Sequence, residues 1–332
     1  MKRRKLGETG EFVSQLGLGT CFMADQGQKG VNECAAQAID RGITYFDTAA
    51  DYGKGNDERM LGIALRAHRD RVFLATKVGC VDGPGGHRKV DSLMDQFDAG
   101  LHRIQTDRVD LIQLHEADQR KWWSDDPVSQ KEALSHGGPL IRDEEDYDFL
   151  GSPCVEFLQR AKQQGKARFI GITGKDARRL ARLVEALPID SMMVAHQYNP
   201  ILRNAARFLL PSTDASGVGV AGGAMFMKGW LAVAKNEWRD HAPGWMDEEF
   251  HRAYFGYLDI QKSSGIPLPE LTLRWLLAET RINCIVTGFS RWSDIESNVD
   301  AIARGPLPTE LQSEIDGVGI VHPLIYQRRT TL

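Results

Sequence analysis

Short apolar segments rich in Val, Ile, Phe and Tyr recur along this chain, and helical patterns lie between them. Eight of these segments are predicted to be strands, at residues 16–20, 43–48, 72–78, 110–115, 168–173, 192–198, 218–222 and 283–288. Several lack the polar–apolar alternation of a half-exposed strand, which is typical of parallel strands buried on both faces. The pattern therefore predicts an α/β fold built around a parallel sheet.

The intervening helices show apolar stripes at helical spacing, for example at Leu93, Phe97, Leu101 and Ile104. Eight strand–helix units predict a (β/α)8, or TIM, barrel, whose typical length is about 250 residues. The rest of residues 1–332, treated as a single domain, is predicted to form an N-terminal β-hairpin (3–6 with 12–15), long βα loops 4 and 7 (116–152 and 223–265) and a C-terminal tail. Loops of this length are more often functional than decorative.

Composition excludes several classes of function. Lys+Arg 41 against Asp+Glu 45 gives a net charge of −4, which does not suit a general nucleic-acid binder. No apolar segment approaches the about 18 residues that a membrane helix needs, and no apolar region follows the basic N-terminus as in a signal peptide. The five cysteines are widely spaced and include no C-x-x-C pair, which argues against a disulfide framework or a zinc site. A cytoplasmic protein is expected.

Polar side chains are concentrated at the ends of three consecutive predicted strands. Asp47 and Tyr52 follow the second strand, Lys77 ends the third, and His115 ends the fourth. In a barrel these ends meet at one mouth. An ammonium beside a phenol is expected to lower the phenol's pKa, and an aspartate can hold that ammonium in place. Such a group can exchange a proton with a reacting oxygen, whereas hydride must come from a nicotinamide cofactor.

Two other motifs are weaker. His115 and Glu116 suggest a metal ligand pair, but no second histidine follows at helical spacing, so no metal is expected. Residues 217–222 match G-x-G-x-x-G, yet they lie within a predicted strand rather than between a strand and a helix, which argues against a Rossmann dinucleotide site.

The segment 42–53, G-I-T-Y-F-D-T-A-A-D-Y-G, followed by E-R-M-L-G at 58–62, closely resembles the aldo-keto reductase motif G-x-x-x-F-D-T-A-x-x-Y-G and E-x-x-L-G. Segments 168–174, 195–200 and 286–298 also resemble motifs of that family, so the resemblance covers nearly the whole chain. It implies that Tyr52 is the proton donor, that Lys77 and Asp47 tune it, and that His115 orients the substrate oxygen.

The resemblance further implies an extended NADP(H) or NAD(H) across the barrel mouth, with Thr173 and Gln197 at the nicotinamide amide. Backbone amides after the eighth strand would hold phosphate. The other implied cofactor contacts are Gly19, Thr20, Asp47, Gly174, Gly222, Gly223, Met225, Gly288, Phe289, Ser290, Arg291, Asp294, Ser297 and Asn298.

Three positions depart from the family pattern. Gly174 stands where many members carry Asn, and no aromatic residue stands near Gly222 and Gly223 to stack on nicotinamide. Asp294 stands where NADP-preferring members often carry Arg, and a carboxylate there would repel a 2′-phosphate, although Arg291 would attract one. We therefore expect NAD to be used at least as readily as NADP.

Aromatic residues in the two long loops suggest the substrate. Trp122 and Trp123 in loop 4 are candidate substrate contacts beside Tyr52 and His115, and loop 7 carries Phe226, Trp230, Trp238 and Trp245. Aromatic faces with nearby charges suit sugars and other small hydroxylated carbonyl compounds or lactols. The alternative is that these side chains pack the loops onto the barrel.

Two other functions are open from the sequence. Lys77 could form a Schiff base, as aldolase lysines do. The chain could also be a non-catalytic, cofactor-binding regulatory subunit, because potassium-channel β subunits use the aldo-keto reductase fold. The tail at 320–326 could cover the mouth or join a contact between copies in a homo-oligomer.

Overall fold

The computed structural model describes residues 1–21, 23–79, 86–125, 138–288 and 292–323. The strands of the described residues, in chain order, are β1 (Arg3–Lys5), β2 (Phe12–Ser14), β3 (Leu16–Gly19), β4 (Tyr45–Asp47), β5 (Phe73–Val78), β6 (Val109–Leu114), β7 (Ala167–Gly174), β8 (Ser191–Ala195), β9 (Gly219–Gly223) and β10 (Cys284–Thr287). Strands β3 to β10 form a closed parallel barrel in which β10 pairs with both β3 and β9. The predicted (β/α)8 barrel is confirmed.

Helices cover the outside of the barrel. They are α1 (Gly27–Asp40), α2 (Asn56–Leu65), α3 (Val90–Ile104), α4 (Pro153–Gln163), α5 (Ala177–Ala186), α6 (Leu210–Ser216), α7 (Glu248–Ser264), α8 (Leu268–Leu276), α9 (Trp292–Ala303) and α10 (Thr309–Asp316). The predicted stripe of Leu93, Phe97, Leu101 and Ile104 lies on α3 and is buried. Across the described residues, no helix combines the length and the apolar character that spanning a bilayer would require.

The predicted loop 7 is partly wrong. The segment 223–265 contains the 17-residue helix α7. The side chain of its N-cap residue Asp247 accepts from the backbone nitrogen of Phe250, and the helix is followed by Gly265 in the left-handed conformation. Its buried residues include Phe250, Tyr254 and Leu258, one face of a helix that packs against the core. Loop 4 does end where predicted, because α4 begins at Pro153.

The N-terminal hairpin closes the barrel at the end away from the predicted site. Strands β1 and β2 pair antiparallel, which confirms the predicted hairpin. Leu6 and Val13 are fully buried and belong to the apolar cluster inside the barrel. Gly7 has φ +51°, and a Cβ there would lie 2.3 Å from the backbone nitrogen of Gly219, the first residue of β9. Only glycine allows this close approach to the amino end of the barrel.

Candidate active site

The four residues predicted to carry the chemistry meet at the carboxyl-end mouth of the barrel. Asp47 is the last residue of β4, Lys77 lies near the end of β5, and His115 directly follows β6. Tyr52 begins the short 3-10 turn after β4. Asp47 and Lys77 are each 2% exposed, so this part of the site is largely shielded from water. The parallel register of β4, β5 and β6 brings the four side chains together.

Lys77 is held in place by two acceptors. Its Nζ donates to Oδ1 of Asp47, and it donates to the backbone carbonyl of Thr48 at 2.7 Å. The other carboxylate oxygen of Asp47 accepts from Nε2 of Gln113 at 3.3 Å. A buried charge requires such pairing, because burial without a partner is costly.

Tyr52 lies between the ammonium and the imidazole. Nζ of Lys77 is 4.9 Å from the centroid of the Tyr52 ring, and the His115 ring meets the Tyr52 ring edge-on with centroids 5.8 Å apart. Burial and then the carboxylate of Asp47 raise the pKa of Tyr52 well above its ordinary value of 10. The expectation of an acidified phenol is therefore wrong for the free protein, because desolvation disfavours the phenolate and Asp47 offsets the charge of Lys77.

His115 has a carboxylate partner that the sequence analysis missed. Its Nδ1 lies 3.2 Å from Oδ1 of Asp51, and the two side chains are only 12% and 13% exposed. Burial lowers the pKa of His115, and the hydrogen bond with Asp51 opposes that shift. The signal in the sequence was an acidic residue directly before Tyr52, at a position that the motif leaves unspecified.

A second pair of charged residues was also missed. Glu116, directly after His115, is 4% exposed and has φ +54°, and its carboxylate pairs with Nζ of Lys175 and with Nε2 of Gln119. The negative charge of Glu116 raises the pKa of both Tyr52 and His115, which places it near these side chains. The sequence does contain a signal for this pair, because Glu116 and Lys175 are charged residues that come shortly after the ends of the neighbouring strands β6 and β7.

The predicted nicotinamide contacts lie at the ends of β7 and β8. Oγ1 of Thr173 accepts from the backbone nitrogen of Glu116 at 3.0 Å. Gln197 is 1% exposed; its Oε1 accepts from Nδ2 of Asn204 at 2.9 Å, while its Nε2 has no hydrogen-bond partner among the described residues. A buried donor left without a partner is costly, which is consistent with a ligand atom completing this site.

The side chains packed around Gly174 leave no room for a larger residue at this position. A Cβ at this position would lie 2.7 Å from Cδ2 of Leu180 and 2.9 Å from both Cγ and Oδ1 of Asp118. The Asp118 carboxylate in turn accepts from the backbone nitrogens of Lys175 and Asp176 at 2.7 and 2.8 Å. The space that a family asparagine would use is therefore occupied, and residue 174 can offer a ligand only its backbone.

The other predicted cofactor residues lie along the same end of the barrel where the structure describes them. Gly19 ends β3, Gly222 and Gly223 end β9, and Met225, 1% exposed, follows. Oγ1 of Thr20 donates to Oγ1 of Thr48 at 2.8 Å. Gly288 follows β10, and among the described residues a Cβ there would meet only the carbonyl oxygen of Cys21, at 3.9 Å.

Helix α9 carries the last three of these predictions, Asp294, Ser297 and Asn298. Nδ2 of Asn298 donates to Oγ1 of Thr287 at the end of β10, at 3.5 Å. Ser297 donates its hydroxyl to the carbonyl oxygen of Ser293 at 2.8 Å. The predictions for Phe289, Ser290 and Arg291 fall outside the described residues.

The two candidate tryptophans of loop 4 have a packing role. Trp122 is 0% exposed, and its Nε1 lies 3.2 Å from the carbonyl oxygens of both His115 and Glu116. Trp123 is 4% exposed and donates to the carbonyl oxygen of Ala117 at 2.6 Å. Both indoles support the chain that follows β6, and their contact with a substrate stays a prediction.

The aromatic residues of loop 7 also pack mainly on one another. The rings of Trp230 and Trp245 are stacked with centroids 4.7 Å apart, and Trp238 meets each of them edge-on. Phe226 packs against the main apolar cluster.

Within the residues that the structure covers, no group of three His, Cys, Asp or Glu side chains is arranged to hold a metal ion.

The fold is a (β/α)8 barrel with a cluster of ionisable side chains at its mouth, and sequence comparison establishes the family to which it belongs. The model of the aldo/keto reductase family matches residues 15–320, so the chain belongs to this family. The protein is similar to L-galactose dehydrogenase from Arabidopsis thaliana, with 29% identity over 320 residues that cover 93% of this chain and 89% of that protein.

Further relatives extend this likeness. D-threo-aldose 1-dehydrogenase from Pseudomonas sp is 24% identical over 304 residues, covering 84% of each chain. Among solved structures, the holo form of the aldo-keto reductase AKR11C1 from Bacillus halodurans superposes with a TM-score of 0.75, with 24% identity and 98% of each chain covered. This structural likeness confirms the barrel fold.

Proposed function

We propose that this protein is an NAD(P)-dependent oxidoreductase that interconverts a hydroxyl and a carbonyl group on a sugar or another polyhydroxylated aldehyde, ketone or lactol. The observation that carries the proposal is the cluster of Asp47, Tyr52, Lys77 and His115 at one mouth of the barrel. It combines a proton source, a cation and an imidazole within the reach of one substrate oxygen.

Tyr52 is proposed to exchange the proton. Its pKa lies well above 10, so its hydroxyl is protonated at neutral pH and can donate a proton to a carbonyl oxygen during reduction. The ammonium of Lys77, 4.9 Å from the ring, then stabilises the phenolate that is left. Asp47 keeps Lys77 in this position. In the direction of oxidation the phenolate takes the proton back.

The residues of the mouth fit a nicotinamide dinucleotide. The buried Nε2 of Gln197 is a donor suited to a carboxamide oxygen. Among the described residues, only the carbonyl oxygen of Cys21 lies within 4 Å of a Cβ at Gly288, so these residues leave its backbone accessible to a ligand. Thr173, next to Gly174, would line the same part of the site. When bound, the cofactor supplies or accepts the hydride, which no side chain can do.

Charged side chains at the mouth favour a polyhydroxylated substrate. Asp51, Glu116 and Lys175 all lie close to the imidazole or to its neighbouring strand end. Hydroxyl groups can donate to carboxylates and accept from an ammonium, whereas an apolar aldehyde would leave these groups without new partners. The names of two relatives, L-galactose dehydrogenase and D-threo-aldose 1-dehydrogenase, support a sugar substrate.

The geometry does not favour the two alternative functions. A Schiff base needs a neutral amine that a carbonyl compound can reach, but Lys77 is 2% exposed and is paired with Asp47. Borohydride trapping that labels Lys77 without nicotinamide would reverse this conclusion. A purely regulatory subunit would not need all four residues of the cluster in contact.

The test is a set of assays that follow the absorbance of reduced nicotinamide with a panel of aldoses, ketoses and apolar aldehydes. We expect turnover of sugars, and turnover of apolar aldehydes alone would contradict the proposed substrate class. Tyr52→Phe should still bind the cofactor but lose turnover by about 10²–10⁴-fold, the usual contribution of a positioned acid.

Tyr45→Phe is the matched control. Tyr45 is a fully buried tyrosine of β4, the strand that precedes the turn with Tyr52, and its hydroxyl has no hydrogen-bond partner among the described residues. Removing that hydroxyl should leave turnover unchanged. Turnover that survives in Tyr52→Phe would exclude Tyr52 as the proton donor.

A further inference from the structure

The turn after β7 is tied to the chain that follows β6. The backbone nitrogen of Ala117 donates to the carbonyl oxygen of Thr173 at 2.7 Å, and the backbone nitrogen of Glu116 donates to Oγ1 of the same threonine at 3.0 Å. Nζ of Lys175 pairs with the Glu116 carboxylate between the same two segments. These contacts join the strand end that carries His115 to the strand end proposed to bind nicotinamide.

Asp118 lies at the centre of this junction. It is 1% exposed, and its Oδ2 accepts from the backbone nitrogen of Lys175 at 2.7 Å and from that of Asp176 at 2.8 Å. Its Oδ1 lies 2.9 Å from the position that a Cβ of residue 174 would take, so the carboxylate is packed against the backbone of Gly174. One carboxylate therefore lies against three consecutive residues of the turn.

The charge of this carboxylate affects the shape of the turn. An ionised carboxylate only accepts hydrogen bonds, and its bonds with backbone N–H groups are stronger than those of a neutral acceptor. A protonated carboxyl group gains an O–H donor that needs an acceptor of its own, and its bonds with the two backbone nitrogens weaken. The ionised form of Asp118 thus holds the turn in the shape that the structure shows.

We propose that Asp118 is a positioning residue for the nicotinamide cofactor, because its carboxylate fixes the turn 173–176 in the shape that receives the carboxamide. This inference rests on the proposed function, and it assigns to that site a residue that acts through the backbone rather than by touching the ligand. Thr173 and Gly174 are the proposed contacts in this turn, and they directly precede the two nitrogens that Asp118 binds. The affinity for the cofactor should therefore depend on the protonation of Asp118.

The groups nearest to Asp118 bring its titration close to physiological pH. Burial raises the pKa of Asp118 to about 6, and the negative charge of Glu116 on the same loop acts in the same direction. The hydrogen bonds from the two backbone nitrogens and the ammonium of Lys175 oppose this shift. The carboxyl group is accordingly ionised at pH 8 and mostly protonated at pH 5.

The charged groups on the neighbouring elements have smaller effects. Asp176 is paired with Arg179 of α5, with an N···O distance of 2.6 Å, so the charges of this pair largely cancel at Asp118. His196 follows β8, and burial lowers its pKa to about 3, so its imidazole is neutral between pH 5 and pH 8. The pKa of Asp118 therefore depends mainly on its burial and on the charges of its own loop and of the turn.

The first measurement uses the full-length protein without cofactor. In ¹⁵N-labelled protein, the amide NMR signals of Lys175 and Asp176 report the two hydrogen bonds to Asp118. In the wild type we expect both signals to shift between pH 8 and pH 5 with a shared midpoint near pH 6. In Asp118→Asn they should not titrate, because the amide oxygen still accepts but binds no proton. Signals that do not titrate in the wild type, or that titrate equally in Asp118→Asn, would overturn the proposal.

Glu116→Gln identifies the titrating group. This variant removes a charge that raises the pKa of Asp118, so the midpoint should move to lower pH. Asp190→Asn is the matched control: Asp190 also accepts from a backbone nitrogen, that of Ile170 at 2.9 Å, but it precedes β8 at the amino end of the barrel. It should leave the midpoint unchanged. A midpoint that stays the same in Glu116→Gln would count against Asp118 as the titrating group.

The second measurement is the Kd of NAD, followed by the quenching of tryptophan fluorescence. NAD has no group that titrates between pH 5 and pH 8, so a change in Kd reports the protein. In the wild type the Kd should rise about tenfold from pH 8 to pH 5, because about one tenth of a group stays ionised one pH unit below its pKa. In Asp118→Asn the Kd should stay nearly constant. In Asp118→Ala, which offers neither nitrogen an acceptor, it should already be raised at pH 8.

The outcomes separate this inference from the function on which it rests. If NAD binds with the same pH dependence in the wild type and in Asp118→Asn, the role of Asp118 is overturned and the proposed oxidoreductase is not. The expected titration of the two amides without binding of NAD or NADP at any pH would contradict the proposed function instead. Asp118→Asn decides the role of Asp118 even if Asp118→Ala does not fold, because it keeps the acceptor.

Discussion

Asn204 holds the backbone of His322 through two hydrogen bonds. Oδ1 of Asn204 accepts from the His322 nitrogen at 2.9 Å, and Nδ2 donates to the His322 carbonyl oxygen at 2.8 Å. The same Nδ2 lies 2.9 Å from Oε1 of Gln197, a proposed cofactor contact. The C-terminal segment is thereby connected to the barrel mouth through one carboxamide.

We expect Asn204→Ala to weaken both ends of this connection. Buried polar atoms of Gln197 and His322 would lose their partner, at about 1–3 kcal/mol for each unsatisfied group. The free energy of unfolding should fall, and the Kd of the nicotinamide cofactor should rise because Gln197 is no longer oriented. Urea denaturation and fluorescence titration measure the two effects.

The exposed Asn236→Ala is the control for Asn204→Ala and should change neither quantity. A lower stability with an unchanged cofactor Kd would show that Gln197 does not depend on Asn204 for its orientation.

The buried pair of Lys77 and Asp47 should show strong coupling. Lys77→Met leaves the Asp47 carboxylate buried without its cation, and removing one partner of a buried pair typically costs about 3–5 kcal/mol. Adding Asp47→Asn removes the stranded charge, so the double variant should lose less stability than the sum of the single variants. Denaturant unfolding of all four proteins completes the cycle. Additive losses would mean that the two side chains do not interact energetically.

Acid should destabilise the fold through two buried histidines. Burial lowers the pKa of His87 to about 4 and that of His196 to about 3, against 6.5 in the unfolded chain. Between pH 6.5 and the lower pKa of each histidine in the folded protein, the unfolded state binds more protons than the folded state. The contribution of these neutral histidines to the free energy of unfolding is therefore fully present above pH 6.5 and is lost as the pH falls. Each group contributes a slope of at most about 1.4 kcal/mol per pH unit.

Tm measured between pH 8 and pH 4 checks this dependence. His196→Asn should flatten the curve, because asparagine tolerates the φ of +67° at this position and does not titrate. The exposed His102→Asn should leave the curve as it is in the wild type. A curve that is equally steep in His196→Asn would assign the acid sensitivity to other groups.

Cofactor preference should follow the charge at position 294. The carboxylate of Asp294, in the first turn of α9, would repel a 2′-phosphate, so kcat/KM with NAD should be at least equal to that with NADP. Asp294→Arg should shift the ratio toward NADP. An advantage of NADP of about a hundredfold in the wild type, equivalent to about 2.7 kcal/mol, would contradict this prediction.

The sequence predicted the barrel and the central cluster because both depend on local patterns. Eight apolar segments define the strands, and strand ends of a parallel barrel must meet at one mouth, so the positions of Asp47, Lys77 and His115 followed without knowledge of any side-chain contact. The hairpin was equally accessible, since its two short strands are adjacent in the chain.

What the sequence did not predict depends on burial and on contacts between distant residues. The lysine near Tyr52 suggested an acidic phenol, but only the structure shows that Asp47 neutralises the lysine and that burial dominates. The burial of Trp122 and Trp123 could not be predicted either, because aromatic residues that pack a loop and aromatic residues that face a ligand have the same sequence pattern. The bond from Asn204 to the C-terminal segment spans 118 residues and leaves no local pattern.

The fit between Gly174 and Asp118 constrains the order in which this site could change. Any side chain introduced at position 174 would collide with the Asp118 carboxylate, which itself binds two backbone nitrogens of the next turn. A smaller residue at position 118 would therefore have to come before an asparagine at 174, whether by evolution or by design, and the end of the Leu180 side chain would also have to shift.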